Sequence, residues 1–318
     1  MTEEYCVIIP AHNEERFVGD AIRSVFAQTL PPKEVVVIDD GSSDDTAAVA
    51  AAAGARVIRQ SDSLGPSASR NNAIARTTSP LVAFLDADDE WMHNHAQTLV
   101  DAFNDDRVVF AGSRAELFGA ASGPAPSILT VDGVMVLRDV LIADNPIVQS
   151  AAMVRRATLV AVGGYSEGMR LSEDYDLWTR VAEIGSFSFV NSISVRRRVH
   201  ASQVSSRLGA GLAVAAWGVR QRALQRRLGD ASAAERIAIL ELLYNAAQRD
   251  IEWAVSSGKR SNLAVVRALL ASADDSLALS GSLASIGGDR ALSRRLSQDF
   301  RNVSHWVLAQ LRQSNAAS

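Results

Sequence analysis

In the first third of the chain, short apolar runs without alternation separate stretches of helical spacing. Cys6-Val7-Ile8-Ile9, Val35-Val36-Val37-Ile38, Arg56-Val57-Ile58 and Leu81-Val82-Ala83-Phe84-Leu85 read as strands, and the intervals near 15–28, 45–53 and 66–75 as helices. Unbroken apolar strands alternating with helices mark a mostly parallel sheet covered on both faces, so the predicted class is α/β. From about 111 to 200 the pattern is irregular, with a Gly/Ala/Ser/Pro stretch from Gly119 to Ser127 and a turn at Gly163-Gly164-Tyr165. Beyond Ser205 the spacing is helical and Ala-rich. Ser232-Ala233-Ala234-Glu235 reads as a capping box, and Leu292, Leu296, Phe300, Val303, Val307 and Leu311 draw an apolar stripe on a last helix.

Ligands of open α/β sheets bind outside the carboxyl ends of the strands, so the residues after each run matter most. The first run ends in Pro10-Ala11-His12-Asn13-Glu14-Glu15, the second in Asp39-Asp40-Gly41-Ser42-Ser43-Asp44, and the fourth in Asp86-Ala87-Asp88-Asp89-Glu90. Three strand ends thus carry polar, largely acidic loops suited to a cation. Composition narrows the partners. With 32 Lys+Arg against 36 Asp+Glu in 318 residues, the net charge of -4 argues against general nucleic-acid affinity. The single cysteine, Cys6, permits no intramolecular disulfide and no Cys-based zinc cage, and reads as a buried apolar residue in a reducing compartment. The acidic start, Met1-Thr2-Glu3-Glu4, does not resemble a signal peptide. The longest nearly apolar run, Leu208 to Val219, falls short of the ~20 residues that span a bilayer. The expectation is a cytoplasmic protein that does not cross a membrane.

Asp86-Ala87-Asp88 sets two carboxylates one residue apart after a buried strand, and a hard divalent cation relieves their repulsion. The competing reading is a helix cap, with Trp91 to Phe103 as the helix. An EF-hand does not fit, because Trp91 stands where that loop needs glycine. Asp39 can accept hydrogen bonds from a ribose or a base N–H, while Gly41 with Ser43 or Asp44 equally suits a turn and helix start. No Gly-x-Gly-x-x-Gly follows the first strand and no phosphate-binding Gly-x-x-x-x-Gly-Lys-Ser/Thr loop occurs. Bound phosphates would need a metal and basic side chains, with Arg70 the first candidate.

Taken together, Val7 to Glu14, Val35 to Thr46, Gly65 through Ser69-Arg70-Asn71 and Leu85-Asp86-Ala87-Asp88-Asp89 resemble the inverting glycosyltransferase family 2, whose nucleotide-sugar fold is called GT-A. Glu173-Asp174-Tyr175-Asp176-Leu177-Trp178 is similar to its "ED" motif, and Arg198-Val199-His200 to its closing Arg-x-His segment. The resemblance covers about residues 5 to 205. It implies that Asp39 reads the nucleotide base, with Pro10, Ala11, Asn13 and Glu14 lining the same pocket, and that Asp86 lies near ribose and metal. Asp88 would ligate Mg²⁺ or Mn²⁺, His200 would be a second metal ligand or a diphosphate contact, and Asp174 the catalytic base. The implied partners are a UDP-, dTDP- or GDP-sugar donor and a glycan or glycolipid acceptor in bacterial surface glycan assembly, with no nucleic acid. Such chemistry needs these residue types: a carboxylate to deprotonate the attacking hydroxyl, and a cation with arginines such as Arg70 and Arg198 against the leaving diphosphate.

The expected organisation is a 1–205 GT-A domain, with a nucleotide-binding part over about 5–110 and an acceptor-side part over about 111–205, followed by an α-helical region from 206 to 318. Two alternatives accompany the inverting reading. Glu173 and Asp176 leave room for a retaining transferase on the same fold, and a nucleotide-sugar-binding protein without catalysis is the rival of another class. His93 and His95 read as exposed residues at a helix start, and Trp91 and Trp178 as core. The stretch from Arg196 to Leu228 holds eight arginines and no acid. It reads as a packed helix with a solvated basic face, the second reading being peripheral contact with anionic lipid at the inner face of a membrane.

Overall fold

The computed structural model describes residues 4–201 and 209–232, together with scattered positions up to 249. Its elements are, in chain order, β1 (Tyr5–Ala11), α1 (Val18–Phe26), β2 (Glu34–Asp39), α2 (Thr46–Ala52), β3 (Arg56–Arg59), α3 (Pro66–Ala75), β4 (Leu81–Phe84) and β5 (Glu90–Trp91). There follow α4 (His95–Val100), β6 (Val108–Gly119), β7 (Gly123–Pro124), β8 (Gly133–Met135), α5 (Val140–Ala143), β9 (Ala152–Arg155), α6 (Arg156–Ala161), α7 (Glu173–Val181) and β10 (Ser186–Val199). The last described helix, α8, spans Gly209–Asp230. The chain divides into two compact units, one of Met1–Leu141 with Asn145–Gln203, the other of Ile142–Asp144 with Val204–Ser318.

One mixed sheet organises the first unit, with strands in the order β3-β2-β1-β4-β9-β6-β10-β5. β3, β2, β1 and β4 are mutually parallel, which sets the carboxyl ends of β2, β1 and β4 side by side. β9 runs antiparallel between β4 and β6, so those two strands point the same way, and β6 and β10 are parallel. The four predicted strands form where the apolar runs lie; β1, β2 and β4 are buried on both faces, with Val7, Ile8, Ile9, Val36, Val37, Ile38 and Leu81 to Leu85 all fully buried, whereas β3 at the sheet edge is only half-buried. On one face Val18, Ala21, Ile22 and Val25 of α1 pack over β1. On the other, Trp178 of α7 lies between Phe84 of β4 and Phe110 of β6, with ring centroids 6.3 and 6.0 Å away.

Three expectations are corrected here. The stretch read as irregular contains β6 and β10, the two longest strands. In β6 the buried positions include Ala111, Gly112, Ser113 and Ala115 rather than a β-branched run, so no apolar stripe announces that strand. The segment from Trp91 begins as a strand edge, and its helix starts only at His95. His95 is fully buried rather than exposed: its Nδ1 is 2.8 Å from Ser194 Oγ and its ring packs 4.4 Å from Trp91. His93 is exposed.

In the second unit, α8 buries Trp217, Val219, Ala223 and Leu224 but leaves Val214 exposed, and Arg220 and Arg227 are buried, so its basic residues do not form a wholly solvated face. The capping box is present: Ser232 N–H donates to Glu235 Oε2 at 2.8 Å, and Glu235 N–H to Ser232 Oγ at 3.4 Å. The apolar stripe expected from Leu292 to Leu311 lies outside the described residues. No helix among them is long and apolar enough to cross a membrane.

The turn before α7 depends on close backbone approach. Asn71 of α3 donates to Tyr165 O at 2.9 Å and accepts from Tyr165 N–H at 2.8 Å. Gly164 has φ +69°, and a Cβ there would stand 2.5 Å from Asn71 Oδ1. Gly163 has φ +78° but faces open space. Gly163→Ala is therefore expected to cost about 1 kcal/mol of backbone strain, and Gly164→Ala about 2 kcal/mol more, read as separate midpoints in denaturant unfolding. Equal midpoints would show that the Asn71 clamp carries no stability.

Candidate active site

The site begins where β1 and β2 end side by side, with Ala11 opposite Asp39. Pro10 and Ala11 close β1, and the chain then turns through Asn13, whose φ of 57° is left-handed, a conformation asparagine tolerates. That turn is fastened to the β2–α2 loop: Asn13 N–H donates to Ser42 Oγ at 2.9 Å, Ser43 N–H to Asn13 Oδ1 at 2.9 Å, and Glu14 N–H to Thr46 Oγ1 at 2.7 Å. Asp39 is fully buried. Its Oδ1 accepts Ser42 N–H at 3.0 Å, while Oδ2 has Arg59 Nε at 3.2 Å but no aligned hydrogen bond.

Asp40 has a different task. Its carboxylate accepts from Gln60 Nε2, Ser63 Oγ, Leu64 N–H and Gly65 N–H at 2.6–2.9 Å, which pins the segment leading into α3 across the β2 end. Burial raises its pKa, but those donors, Leu64 N–H foremost, hold it below the usual carboxylate range.

The loop after β4 carries the paired aspartates. Asp88 Oδ2 accepts from His200 Nε2 at 2.9 Å, so the β4–β5 loop and the end of β10 meet at these two side chains. Arg198 secures the approach: its N–H donates to Asp89 Oδ1, its Nε to Asp88 O and its Nη2 to Glu90 Oε1, at 2.7–2.9 Å. Its guanidinium also lies over the rings of Phe17 and Phe118. Ser150, just before β9, braces the loop from beneath. Its hydroxyl donates to Asp89 Oδ2 at 2.6 Å and accepts Asp86 N–H at 3.1 Å.

Helix α7 supplies the acids of the "ED" segment and starts from Ser172, another left-handed residue with φ 56°. Asp176 is held by Ser166 Oγ at 2.6 Å and by Arg180 at 2.9–3.0 Å. Glu173 pairs with Arg70 Nη1 at 2.9 Å. Arg70 is almost wholly buried, and its Nη2 reaches Asp86 Oδ1 at 2.8 Å. One guanidinium thus joins the β4 loop to the start of α7. Asp174 has neither tie among the described residues; Asn145 Nδ2 approaches its Oδ2 at 3.4 Å, and the Tyr175 N–H also donates to it.

Crowded carboxylates raise one another. Burial first, then Asp88, Asp44 and Asp86, push Glu14 up to about 7. Burial, then Asp88 and Asp86, push Asp89 up to about 8. Asp86 is raised chiefly by burial against the pull of Arg70. Asp174 is raised to about 6 by burial and next by the Glu173 carboxylate. A cation is what such an edge lacks. Among the described residues no group of three or more His, Cys, Asp or Glu side chains is arranged to hold a metal. Asp88 and His200 are two donors of the right chemistry. They fit a Mg²⁺ or Mn²⁺ ion that takes its remaining oxygens from a substrate diphosphate and water.

Comparison with known proteins accords with this edge. Residues 6–145 match the family model described as glycosyl transferase family 2. That stretch resembles a family 2 glycosyltransferase domain. The succinoglycan biosynthesis protein ExoU of Rhizobium meliloti (strain 1021) is 34% identical over 220 residues, 64% of this chain and 64% of that one. A pre-mycofactocin glycosyltransferase of Mycobacterium tuberculosis (strain CDC 1551 / Oshkosh) is 29% identical over 154 residues, 46% of this chain and 33% of that one. The match thus spans less than two thirds of the length of these relatives. Among solved structures, S. aureus TarS 1-349 in complex with UDP-GlcNAc superposes with TM-score 0.63 at 19% identity, over 76% of this chain and 72% of that one. Mannosyltransferase PcManGT of Pyrobaculum calidifontis, in complex with GDP-Man and Mn²⁺, gives 0.59 at 16% identity, over 99% and 87%. At those identities the likeness shows the fold, which is GT-A.

In this domain, Pro10, Ala11, Asn13, Glu14 and Asp39 gather at the β1 and β2 ends, Asp86 and Asp88 with His200 at the β4 end, and Asp174 on α7. Arg70 is engaged by two carboxylates and Arg198 by the β4–β5 loop, so both hold the site's frame. Ser150, Asn145 and Arg59 join the site with no motif to mark them. Arg70→Met should leave Asp86 and Glu173 uncompensated and cost about 3 kcal/mol in denaturant unfolding, whereas adding Glu173→Gln should recover part of that loss. Additive losses would dissolve the bridge.

Proposed function

We propose that this protein transfers a sugar from a nucleoside diphosphate sugar to an acceptor hydroxyl, with inversion and with a bound divalent ion. The observation that carries the reading is Asp174: a half-buried carboxylate with no ion pair among the described residues, on a helix that Arg70 fastens to the Asp86 loop. Asp39 Oδ2, which faces Arg59 without an aligned hydrogen bond, supports recognition of a base N–H by that residue, beside Pro10, Ala11, Asn13 and Glu14. A UDP-GlcNAc complex of TarS and a GDP-Man, Mn²⁺ complex of PcManGT support a nucleotide-sugar donor with a divalent ion. The relationship to a succinoglycan biosynthesis protein supports surface glycan assembly as the setting.

When bound, the ion would be held by Asp88 and His200 and would offset the charge gained by the departing diphosphate. The protein's own part is positional and acid–base. Asp174 takes the proton from the acceptor hydroxyl as it attacks the anomeric carbon, and Asn145 steadies its Oδ2. Glu173 is engaged by Arg70 and Asp176 by Arg180, so neither is placed as a second nucleophile, which favours single displacement.

Asp174→Asn is expected to lower turnover at least ~10²-fold while nucleoside diphosphate affinity stays within a few-fold. Turnover at the wild-type rate would remove Asp174 as the base. Since the base works deprotonated and Asp174 is raised to about 6, kcat should fall as pH drops through that value and level off above it. A profile flat from pH 5 to 8 would contradict the assignment. Asp88→Ala should abolish the Mn²⁺ dependence of nucleoside diphosphate binding in calorimetry; identical titrations with and without Mn²⁺ in the wild type would exclude the ion.

A further inference from the structure

The acceptor side of the site holds one charge that the proposed chemistry does not use. Arg114 lies in β6, four residues after Phe110. A Cβ added at Gly112 would meet the Phe187 ring at 3.1 Å, and that ring packs 4.7 Å from Phe110, so residues 110 and 112 share a face. Arg114 follows on that face by the two-residue period, whereas Ala111 and Ala115 enter the core on the other side. The face of Arg114 is therefore the one that α7 covers.

Its place along and across the sheet follows from the packing of α7. This helix leads into β10, whose start pairs with the start of β6, while Glu173 at its other end reaches Arg70, which in turn pairs with Asp86 beyond the end of β4. Helix and strand thus run in opposite directions. Asp174 is one turn before Trp178, toward the carboxyl ends of the strands, and Arg114 is displaced from Phe110 toward the same ends. Trp178 sits between β4 and β6, strands about 10 Å apart across β9. The Asp86 side, where the donor is proposed, is therefore on one flank of Asp174 and Arg114 is on the other.

Chemically, Arg114 differs from the arginines around it. Arg70, Arg180, Arg196 and Arg198 each pair with a carboxylate. Arg114 makes no ion pair, hydrogen bond or aromatic contact among the described residues, and its Nε is buried without an acceptor. A guanidinium carries five N–H donors in a fork that matches oxyanions, and one partly withdrawn from water without an anion is costly.

We infer that Arg114 binds an anionic group, a phosphate or a carboxylate, carried by the acceptor on the flank of Asp174 away from the donor. This rests on the transferase reading and adds the acceptor's chemical class to it.

The test uses the full chain saturated with Mn²⁺ and whichever of UDP, GDP or dTDP binds it, titrated with glucose, glucuronate and glucose 1-phosphate. Wild type should bind at least one of the charged sugars about tenfold or more tighter than glucose. Arg114→Gln should lose that preference and Arg114→Lys keep part of it, with nucleoside diphosphate affinity unchanged in both. The tighter of the two charged sugars assigns the anion as phosphate or carboxylate. Melting temperature adds a readout that separates this from a structural role, because removing an unpaired charge should leave it unchanged or raise it. Equal binding of charged and neutral sugars by wild type, a preference that survives Arg114→Gln, or a variant that unfolds would each overturn the inference. If no nucleoside diphosphate binds, the transferase reading falls, and this inference with it.

Discussion

The arrangement depends on one buried guanidinium. Arg70 sits on α3, and its two amino groups reach Asp86 after β4 and Glu173 at the start of α7. Burying a charge is unfavourable unless it is paired, so the helix, the β4 loop and the start of α7 must adopt their mutual positions together. Its guanidinium also lies 5.3 Å from the Tyr165 ring, and Asn71, the next residue on α3, holds the Tyr165 backbone at both N–H and C=O. A single helical turn of α3 thereby sets the distance between the donor edge and Asp174.

The second fastening is at the far end of the same loop. Ser150 and Arg198 satisfy Asp89 from opposite sides, and Arg198 also reaches Glu90 and the Asp88 carbonyl. This accounts for an otherwise costly feature, four acids within five residues. Asp89 and Glu90 are bound by Ser150 and Arg198, Asp86 is paired with Arg70, and Asp88 meets His200. Residual repulsion appears in the raised Glu14 and Asp89. It gives a divalent ion a place where it relieves existing strain in the charge distribution instead of creating a new one.

The parallel half of the fold was legible because its strands are buried on both faces and must be apolar throughout, as Val35 to Ile38 show. The site loops were legible because topology requires ligands at those strand ends. The pairing of β6 with β10 was not legible. Their close approach uses small residues such as Gly112 beneath Phe187, and small residues carry no periodic signal. For similar reasons Ser150 was invisible: a buried serine is recognisable only by its partners, which are more than sixty positions away. Arg70 was visible as a residue but not in its role, since a sequence shows the cation without the two carboxylates that claim it.

What separates functional from structural acids here is what the fold leaves unsatisfied. Asp39 and Asp40 are adjacent and both buried, yet Asp40 accepts four hydrogen bonds while Asp39 Oδ2 has the Arg59 ion pair but no aligned hydrogen bond. Glu173, Asp174 and Asp176 share one helical turn, yet the first is taken by Arg70 and the third by Arg180 and Ser166. A carboxylate already bound to a guanidinium is a weak base, because protonation would break the pair. Asp174, raised by burial and by Glu173, is met by Asn145 and the Tyr175 N–H rather than by a guanidinium, which suits it to the proposed proton abstraction. The same criterion applied to cations leads away from Arg70 and Arg198 and toward Arg114, the guanidinium on the base's other flank that no carboxylate of the described chain meets.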